Sequence, residues 1–399
     1  MAQDLSAFSP LKWTNMIQGL TQNRSVAVAV ANTEFRSDLV NGQSIDYVYN
    51  TRLGWRAYTQ YADQNIQETT ATSDKLLVNQ ALISTFKYDI TDRTQNASAE
   101  EFLAERASEA SYELRNNVDS QVLANVTSAS YDIDDGDIGG TAGNDIALTT
   151  SNCYKTFSKT RAKLASNGVE DDRDWYVVVS PDVTSVIEQS MVASGFNTAD
   201  DALANGYKGK FGGFKIYESN NVLHTQTATL DTVIATDVLT VAGVTFTVVA
   251  APSAAGEVDL GASDAATAVN LAAAINNTNG YAAGAGSATA YFEVSDDNRN
   301  TLNRKNVVAT ASGDTVILTT AGTTAVSSVD TTITVGDESS LLLGGRIGNV
   351  HLVMQKEIMS QVNQEPKSFV KNYLSYVLFG TKMFAKEGSD RAVEINIAA

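Results

Sequence analysis

The segment SAEEFLAERASEASYELRNNVDSQVLANV, residues 98–126, constrains this chain most. Leu103, Ala107, Ala110, Leu114, Val118, Val122 and Val126 recur every three or four residues, which is one face of a helix. Ser98 followed three places later by Glu101 gives a capping-box start. No Gly or Pro interrupts the run, so at 1.5 Å per residue the helix would be roughly 40 Å long. Glu100, Glu105, Arg106, Glu109, Glu113 and Arg115 occupy the other face, which predicts solvent or a polar neighbour there. A helix alone does not choose a fold; its flanks do.

Before it, residues 44–91 read as two long strands. SIDYVYNTRLGWRAYT is rich in β-branched and aromatic residues. In DKLLVNQALISTFKYDI, Leu76, Val78, Leu82, Phe86, Tyr88 and Ile90 sit at even spacing. The polar stretch QNIQETTATS lies between the two. The pair is either a projecting hairpin or part of an ordinary internal sheet. An isolated hairpin is marginal in water, so a projecting one needs a cover, and a neighbouring subunit is the simplest. Residues 1–35 read as an arm: Ser9-Pro10 starts a short helix with Trp13, Met16, Ile17 and Leu20 on one side, and SVAVAVA at 25–31 alternates as an added strand would.

After the long helix the chain alternates helix and strand over 151–222. Tyr154, Phe157, Arg161 and Leu164 mark a helix that Asn167-Gly168 can end. WYVVV at 175–179 is a buried strand, and Ser180-Pro181 opens a helix with Val183, Val186 and Ile187 inward. Residues 225–345 change character: Arg299, Arg304 and Lys305 stand against twelve Asp or Glu, about half of the net charge of −18. Short alternating strands (238–250, 306–320, 331–335) surround one helix at 263–277, whose Val269, Ala272 and Ile275 can face a sheet. This is a β-rich insertion that stands on the surface, where its charge is hydrated. The chain then returns with NVHLVMQKEIMSQVNQ and with SFVKNYLSYVLFGTKMFAKEGSDRAVEINI, strands broken at Gly380 and at Glu387-Gly388.

Several chemistries are excluded by what is missing. With 28 basic against 46 acidic residues, the chain is not built to grip nucleic-acid phosphates along a basic groove. The lone Cys153 forms no internal disulfide and reads as a small buried hydrophobe. The acidic loop YDIDDGDIGGTAGND fails the EF-hand spacing: with Asp132 first, the sixth position is Asp137 and not Gly. A phosphate-cradling loop needs GK[ST] before a helix, whereas Lys210 is followed by Phe211 and a strand. The two histidines, His224 and His351, sit at the ends of the insertion, and there is no GxSxG or HExxH. No catalytic residue, cofactor site or metal site is expected. No apolar run reaches the roughly 18 residues of a membrane span, and the N-terminus has no signal-peptide pattern.

The order of arm, long hairpin, long helix, α/β segment and returning strands resembles the major capsid protein of tailed bacteriophages, the Hong Kong 97 phage fold. TTATSDKLLVNQALISTFKYDITDRTQNAS is similar to the family's extended loop running into its spine helix, and Asp119 with Val122-Leu123 to the end of that helix. DWYVVVSPDVTSVI and GKFGGFKIYESNNV resemble the strand–helix unit and the closing strand of the axial domain, and FGTKMFAKEGSDRAVEINI the last strands of the peripheral domain. The stretch from DVLTVAGVTFTVVA to NLAAAINN is similar to an accessory module of phage structural proteins.

The resemblance implies an α+β capsid fold divided into an N-terminal arm (1–43), an extended hairpin loop (44–91), a peripheral domain with the spine helix (92–148 and 364–399), an axial domain (149–224 and 346–363) and a β-rich insertion domain (225–345). It implies self-assembly into hexamers and pentamers of an icosahedral head, a virion component assembled in the bacterial cytoplasm. The implied partners are other copies of the chain, a separate scaffolding protein, a portal at one vertex, and DNA held on the inner face without sequence specificity; no membrane is involved. Arg52, Trp55 and Arg56 are the candidate inter-subunit contacts of the hairpin. Some family members join subunits by a lysine–asparagine link, but the match around Lys75 and Lys87 does not carry that role over. Two other readings remain: a phage tail tube or sheath subunit, suggested by the accessory module, and a secreted carbohydrate-binding protein built on the sandwich.

Overall fold

The computed structural model describes residues 25–34, 42–50, 53–55, 57–60, 68–89, 99–170, 174–193, 209–286, 290–364, 369–386 and 388–398. The helix expected around Trp13, the tip of the hairpin and Ser98 of the capping box lie outside them. The first described element is a single helical turn, α1 (Ala27–Val30), where a strand was expected over 25–31. The turn forms because the Asp119 carboxylate accepts the backbone amides of Val26 and Ala27, both at 2.7 Å, which caps its N-terminus.

Strands β1 (Ser44–Asn50) and β2 (Ala71–Leu77) form an antiparallel ladder in which Ser44 faces Leu77 and Asn50 faces Ala71. The hairpin is therefore shorter than the expected 44–91. At Val78 the chain turns inward, with its amide donating to the Gln43 carbonyl at 2.9 Å, and Leu76 and Val78 bury against Val353 and Phe384. The rest of the expected strand is β3 (Gln80–Asp89), which leaves the hairpin and joins a different sheet.

Helix α2 (Ala99–Leu123) is the long helix read from the sequence, and a 3-10 turn, Ala124–Ser128, ends it. Ala110, Leu114, Val118 and Val122 are buried, as the heptad-like spacing requires. The chain continues through β4 (Tyr131–Ile133), α3 (Cys153–Ser166), β5 (Trp175–Val179) and α4 (Pro181–Ala193). All five residues of β5 are buried, and Gly168 takes the left-handed φ of +79° that stops α3. Strands β6 (Lys210–Phe211) and β7 (Phe214–Glu218) turn at Gly212-Gly213, where a Cβ on Gly212 would lie 2.8 Å from Phe157 Cβ.

The inserted segment begins along β8 (Leu223–Leu230). It holds β9 (Val238–Val241), β10 (Val244–Val249), β11 (Glu257–Asp259), α5 (Asp264–Asn276), α6 (Asp296–Arg304), β12 (Val308–Ser312), β13 (Thr315–Ala321), β14 (Val326–Ser327) and β15 (Ile333–Val335). The return runs through β16 (Ser339–Arg346), β17 (His351–Gln364), β18 (Val370–Lys382) and β19 (Ala392–Ala398). Val269 of α5 is 57% exposed, contrary to the inward role its spacing suggested; Ala268, Leu271, Ala272 and Ile275 are the buried face. Strand β18 runs through Gly380 without the expected break. Gly380 serves close approach instead, because a Cβ there would lie 2.2 Å from the Leu77 carbonyl oxygen at the hairpin base.

A ten-stranded mixed sheet holds the molecule together, with the path β12-β13-β8-β16-β5-β7-β6 and with β15, β19 and β4 attached. Strands β8 and β16 cross from the main body into the insertion, so positions 225 and 345 both fall inside strands. Two large cores form along this sheet. One gathers α1, α2, α3, α4, β5, β7 and β19; the other gathers β8, β9, β10, α5 and β13. A separate antiparallel sheet, β17-β18-β3, lies along α2.

Candidate functional site

Exposed apolar side chains, and not a pocket, are the feature this sequence builds most clearly. The hairpin is anchored at its base. Tyr47 stacks on Phe384 with ring centroids 5.0 Å apart, and Lys382 Nζ pairs with the Asp74 carboxylate and donates to the Lys75 carbonyl at 2.9 Å. Further out, Val48 is 61% exposed, Leu53 66% and Tyr58 77%. Trp55 is 91% exposed, so this candidate contact residue is presented to solvent; Arg52 and Arg56 lie outside the described residues. Large apolar side chains left out together mark an interaction surface.

The β17-β18-β3 sheet repeats the theme. Leu82 and Val377 face one another across the ladder and turn toward α2, where Val377 is 1% exposed. The opposite side carries Ile83 at 60% exposure, paired with Tyr376, whose hydroxyl reaches the Met359 sulfur at 3.7 Å. Met359 is exposed on that side too, whereas the exposed Val362, paired with Tyr373, lies on the Leu82 side, and Phe369 is exposed just before β18. The Leu82 side packs on α2 around Val377, while Ile83 and Met359 on the other side stand uncovered.

Asp119 joins the parts behind that surface. Its carboxylate is fully buried and accepts five hydrogen bonds. Oδ1 takes the Ser25 hydroxyl at 3.0 Å and the Val26 and Ala27 amides; Oδ2 takes the Ser219 hydroxyl at 3.2 Å and Asn221 Nδ2 at 3.0 Å. The arm, the long helix and the loop after β7 therefore meet on one carboxylate, with no ion pair to it among the described residues. A buried charge held by several donors fixes geometry. The sequence placed Asp119 at the helix end and carried no sign of this role.

The polar face of α2 meets the insertion. Arg304 of α6 lies 3.4 Å from the Glu113 carboxylate, and Gln121 donates to Asn306 at 3.0 Å. Burial raises the Glu113 carboxyl above its ordinary value, Arg304 opposes this, and Glu109 adds to it. Polar clefts of about 530 and 750 Å³ flank the seam.

At the root of the insertion, His224 Nδ1 lies 3.0 Å from Glu338 Oε1 and Nε2 lies 3.4 Å from the Ser340 hydroxyl. The connectivity is that of an acyl-transfer triad, but Ser340 is 2% exposed and sits directly across the β8–β16 ladder from His224. The adjoining cleft reaches His224 and not Ser340, so a substrate carbonyl has no approach to the hydroxyl. The arrangement is a latch between two strands. Burial lowers the imidazole's proton affinity, against the pull of Glu338. Cys153 is buried too, and burial pushes its thiol up to about 12, far from a reactive thiolate.

In the acidic loop the side chains serve their own backbone. Asp134 accepts the amides of Asp137 at 3.2 Å and Gly143 at 2.5 Å, and Asp135 that of Thr141 at 2.8 Å. Next to it, Glu394 of β19 faces Asp132 of β4 across the parallel ladder. Burial first, then Asp132 and Asp145, push its carboxyl up to about 7 from 4.5. A raised carboxyl keeps its proton in the fold longer than in the unfolded chain, so stability falls as pH rises from about 4.5 through about 7. Glu394→Gln is expected to melt higher than the parent at pH 8 and together with it at pH 5, measured by thermal unfolding; equal midpoints at both would contradict this.

No family model matches the sequence, and no curated protein matches it. Solved structures do match. One from Mycobacterium phage Che8 is 14% identical, aligned over 97% of this chain and 96% of that one, with a TM-score of 0.55. The capsid of the cyanophage P-SCSP1u is 10% identical over 100% and 95%, at 0.54. The mature capsid of bacteriophage PhiM1 is 9% identical over 97% and 91%, at 0.52. The chain has the phage capsid fold. Helix α2 and the β1–β2 hairpin are the elements expected from the sequence as its spine helix and extended loop. The matches run nearly the whole length of the chain.

Proposed function

We propose that this chain is the major capsid subunit of a tailed phage, assembling as hexamers and pentamers into the icosahedral head around phage DNA. The observation that carries the reading is the half-finished β-structure: a hairpin anchored at its base with Trp55 and Tyr58 in water, and a sheet with Ile83 and Met359 uncovered. A second copy laid on these faces completes them, and head-to-tail contacts of that kind close into rings. The likeness to solved capsids supports the same conclusion and a structural role.

The division into arm, hairpin loop, peripheral domain, axial domain and insertion is part of this proposal. It is supported by the separate cores of the main body and the insertion. A separate scaffolding protein, a portal and unspecific DNA contact at the inner face complete the proposed assembly, which takes place in the bacterial cytoplasm. Among the described residues no helix is long and apolar enough to cross a membrane. The tail-tube and carbohydrate-binding readings have no matching observation.

Negative-stain microscopy of the purified chain tests the proposal: closed shells or rings of five and six are expected, and tubes or persistent monomers would overturn it. Trp55→Ala is expected to leave the unfolding midpoint within about 0.5 kcal/mol of the parent, as for exposed sites generally. It should raise the protein concentration needed for assembly about tenfold or more, since an interface tryptophan commonly contributes about 2 kcal/mol.

A further inference from the structure

The far end of the insertion differs from the rest of the surface. Between residues 225 and 298 there is no Lys or Arg. The three basic residues of the segment are engaged elsewhere: Arg299 with Glu293, Arg304 with Glu113 of the spine helix, and Lys305 with the Thr323 carbonyl. At the end of β8 remote from the main body, three loops interlock. Leu230 donates its amide to the Asp314 carbonyl at 2.8 Å, Asp231 donates to the Thr332 carbonyl at 2.8 Å, and the Thr332 hydroxyl donates to Asp237 at 2.6 Å. Asp231 and Asp314 are exposed there, and Asp264 and Asp330 are half-buried.

Among these carboxylates two aliphatic residues stand in water, Ile234 at 56% exposure and Val329 at 89%. The loop that carries Ile234 is held tightly. Asp264 accepts the amides of Thr232 and Val233, both at 2.9 Å, and Asp237 accepts that of Ile234 at 2.8 Å. Thr232 and Thr236 are forced to φ of +60° and +97°, which β-branched residues avoid. A rigid, strained loop that displays an aliphatic side chain is pre-organised for contact, because the ordering cost of binding is already met in the free protein.

We propose that this end of the insertion is a docking surface for a separate protein that presents an apolar patch ringed by Lys and Arg. The charge selects the partner. Two such ends from neighbouring copies repel each other, and nucleic acid is repelled too, while a basic rim is attracted and oriented. The inference rests on the proposed shell role only in using the particle as its assay.

The test places p-benzoylphenylalanine at Ile234 and, separately, at Val329, in phage particles purified from infected cells. The control site is Val269 on α5, itself 57% exposed. After photoactivation, cross-links are expected from both end positions to a Lys- or Arg-bearing peptide of another virion polypeptide, several-fold above Val269. Their yield is expected to fall several-fold between about 0.05 and about 0.5 M NaCl, as screening shortens the reach of the charges. Cross-links only to a second copy of this chain, to a peptide without basic residues, or no excess over Val269, would each overturn the proposal. If no particles form, the shell reading fails, and the same cross-linking on the unassembled chain from infected cells still decides the docking surface.

Discussion

Asp119→Ala is expected to destabilise the main body by about 3–5 kcal/mol, because it leaves several buried donors without an acceptor at about 1–3 kcal/mol each before relaxation. The Val26 and Ala27 amides lose their acceptor inside the core, where both residues are buried. On the other oxygen the Ser219 hydroxyl loses its acceptor, and Asn221 loses one of two, keeping Asn116 at 2.7 Å. Helix α1 is one turn long and has no propensity to stand alone, so it should detach from α2. Chemical denaturation measures the loss, and proteolysis around residues 25–34 reports the detachment. Asp119→Asn keeps one acceptor oxygen but turns an amide NH₂ toward the donors on the other side, so an intermediate loss is expected. A loss below about 1 kcal/mol for the alanine variant would mean that these donors find water instead.

How far the sequence revealed this molecule depends on whether a pattern was local. The spine helix was legible because its apolar period runs unbroken from Leu103 to Val126. The β5 strand was legible because WYVVV has no polar residue to place outside. Three misreadings share one cause, a tertiary contact that overrides a local signal. SVAVAVA alternates like a strand, yet a carboxylate 92 residues away in sequence caps it as a helical turn. Gly380 reads as a break, yet it admits the Leu77 carbonyl to the side of an unbroken strand. The even spacing through Val78 predicts one long strand, yet burial of Val78 splits it between two sheets. Helix α6 passed unnoticed because DDNRNTLNR buries only Leu302 and so shows no apolar stripe. The candidate surface was half legible: Trp55 was named from the sequence, but the uncovered face of β17-β18-β3 follows from which side the spine helix covers.

Arg299→Ala is expected to cost about 3–5 kcal/mol, the usual result of removing one partner from a buried ion pair. Glu293 is 2% exposed and is held by a two-pronged contact, Arg299 Nε to Oε1 at 2.6 Å and Nη2 to Oε2 at 3.0 Å. The same guanidinium donates to the Ile275 carbonyl at 2.6 Å and the Ala274 carbonyl at 2.9 Å, which places positive charge at the C-terminal end of α5. The alanine variant strands the carboxylate and frees those carbonyls together. Arg299→Lys keeps the charge but not the planar fork, so it should recover only part of the loss. The location of the damage matters more than its size. Hydrogen exchange should show β9, β10 and α5 losing protection while β5 keeps it, because the insertion has its own core. If β5 opens with them, the shared strands β8 and β16 transmit the failure, and the two cores fold as one cooperative unit.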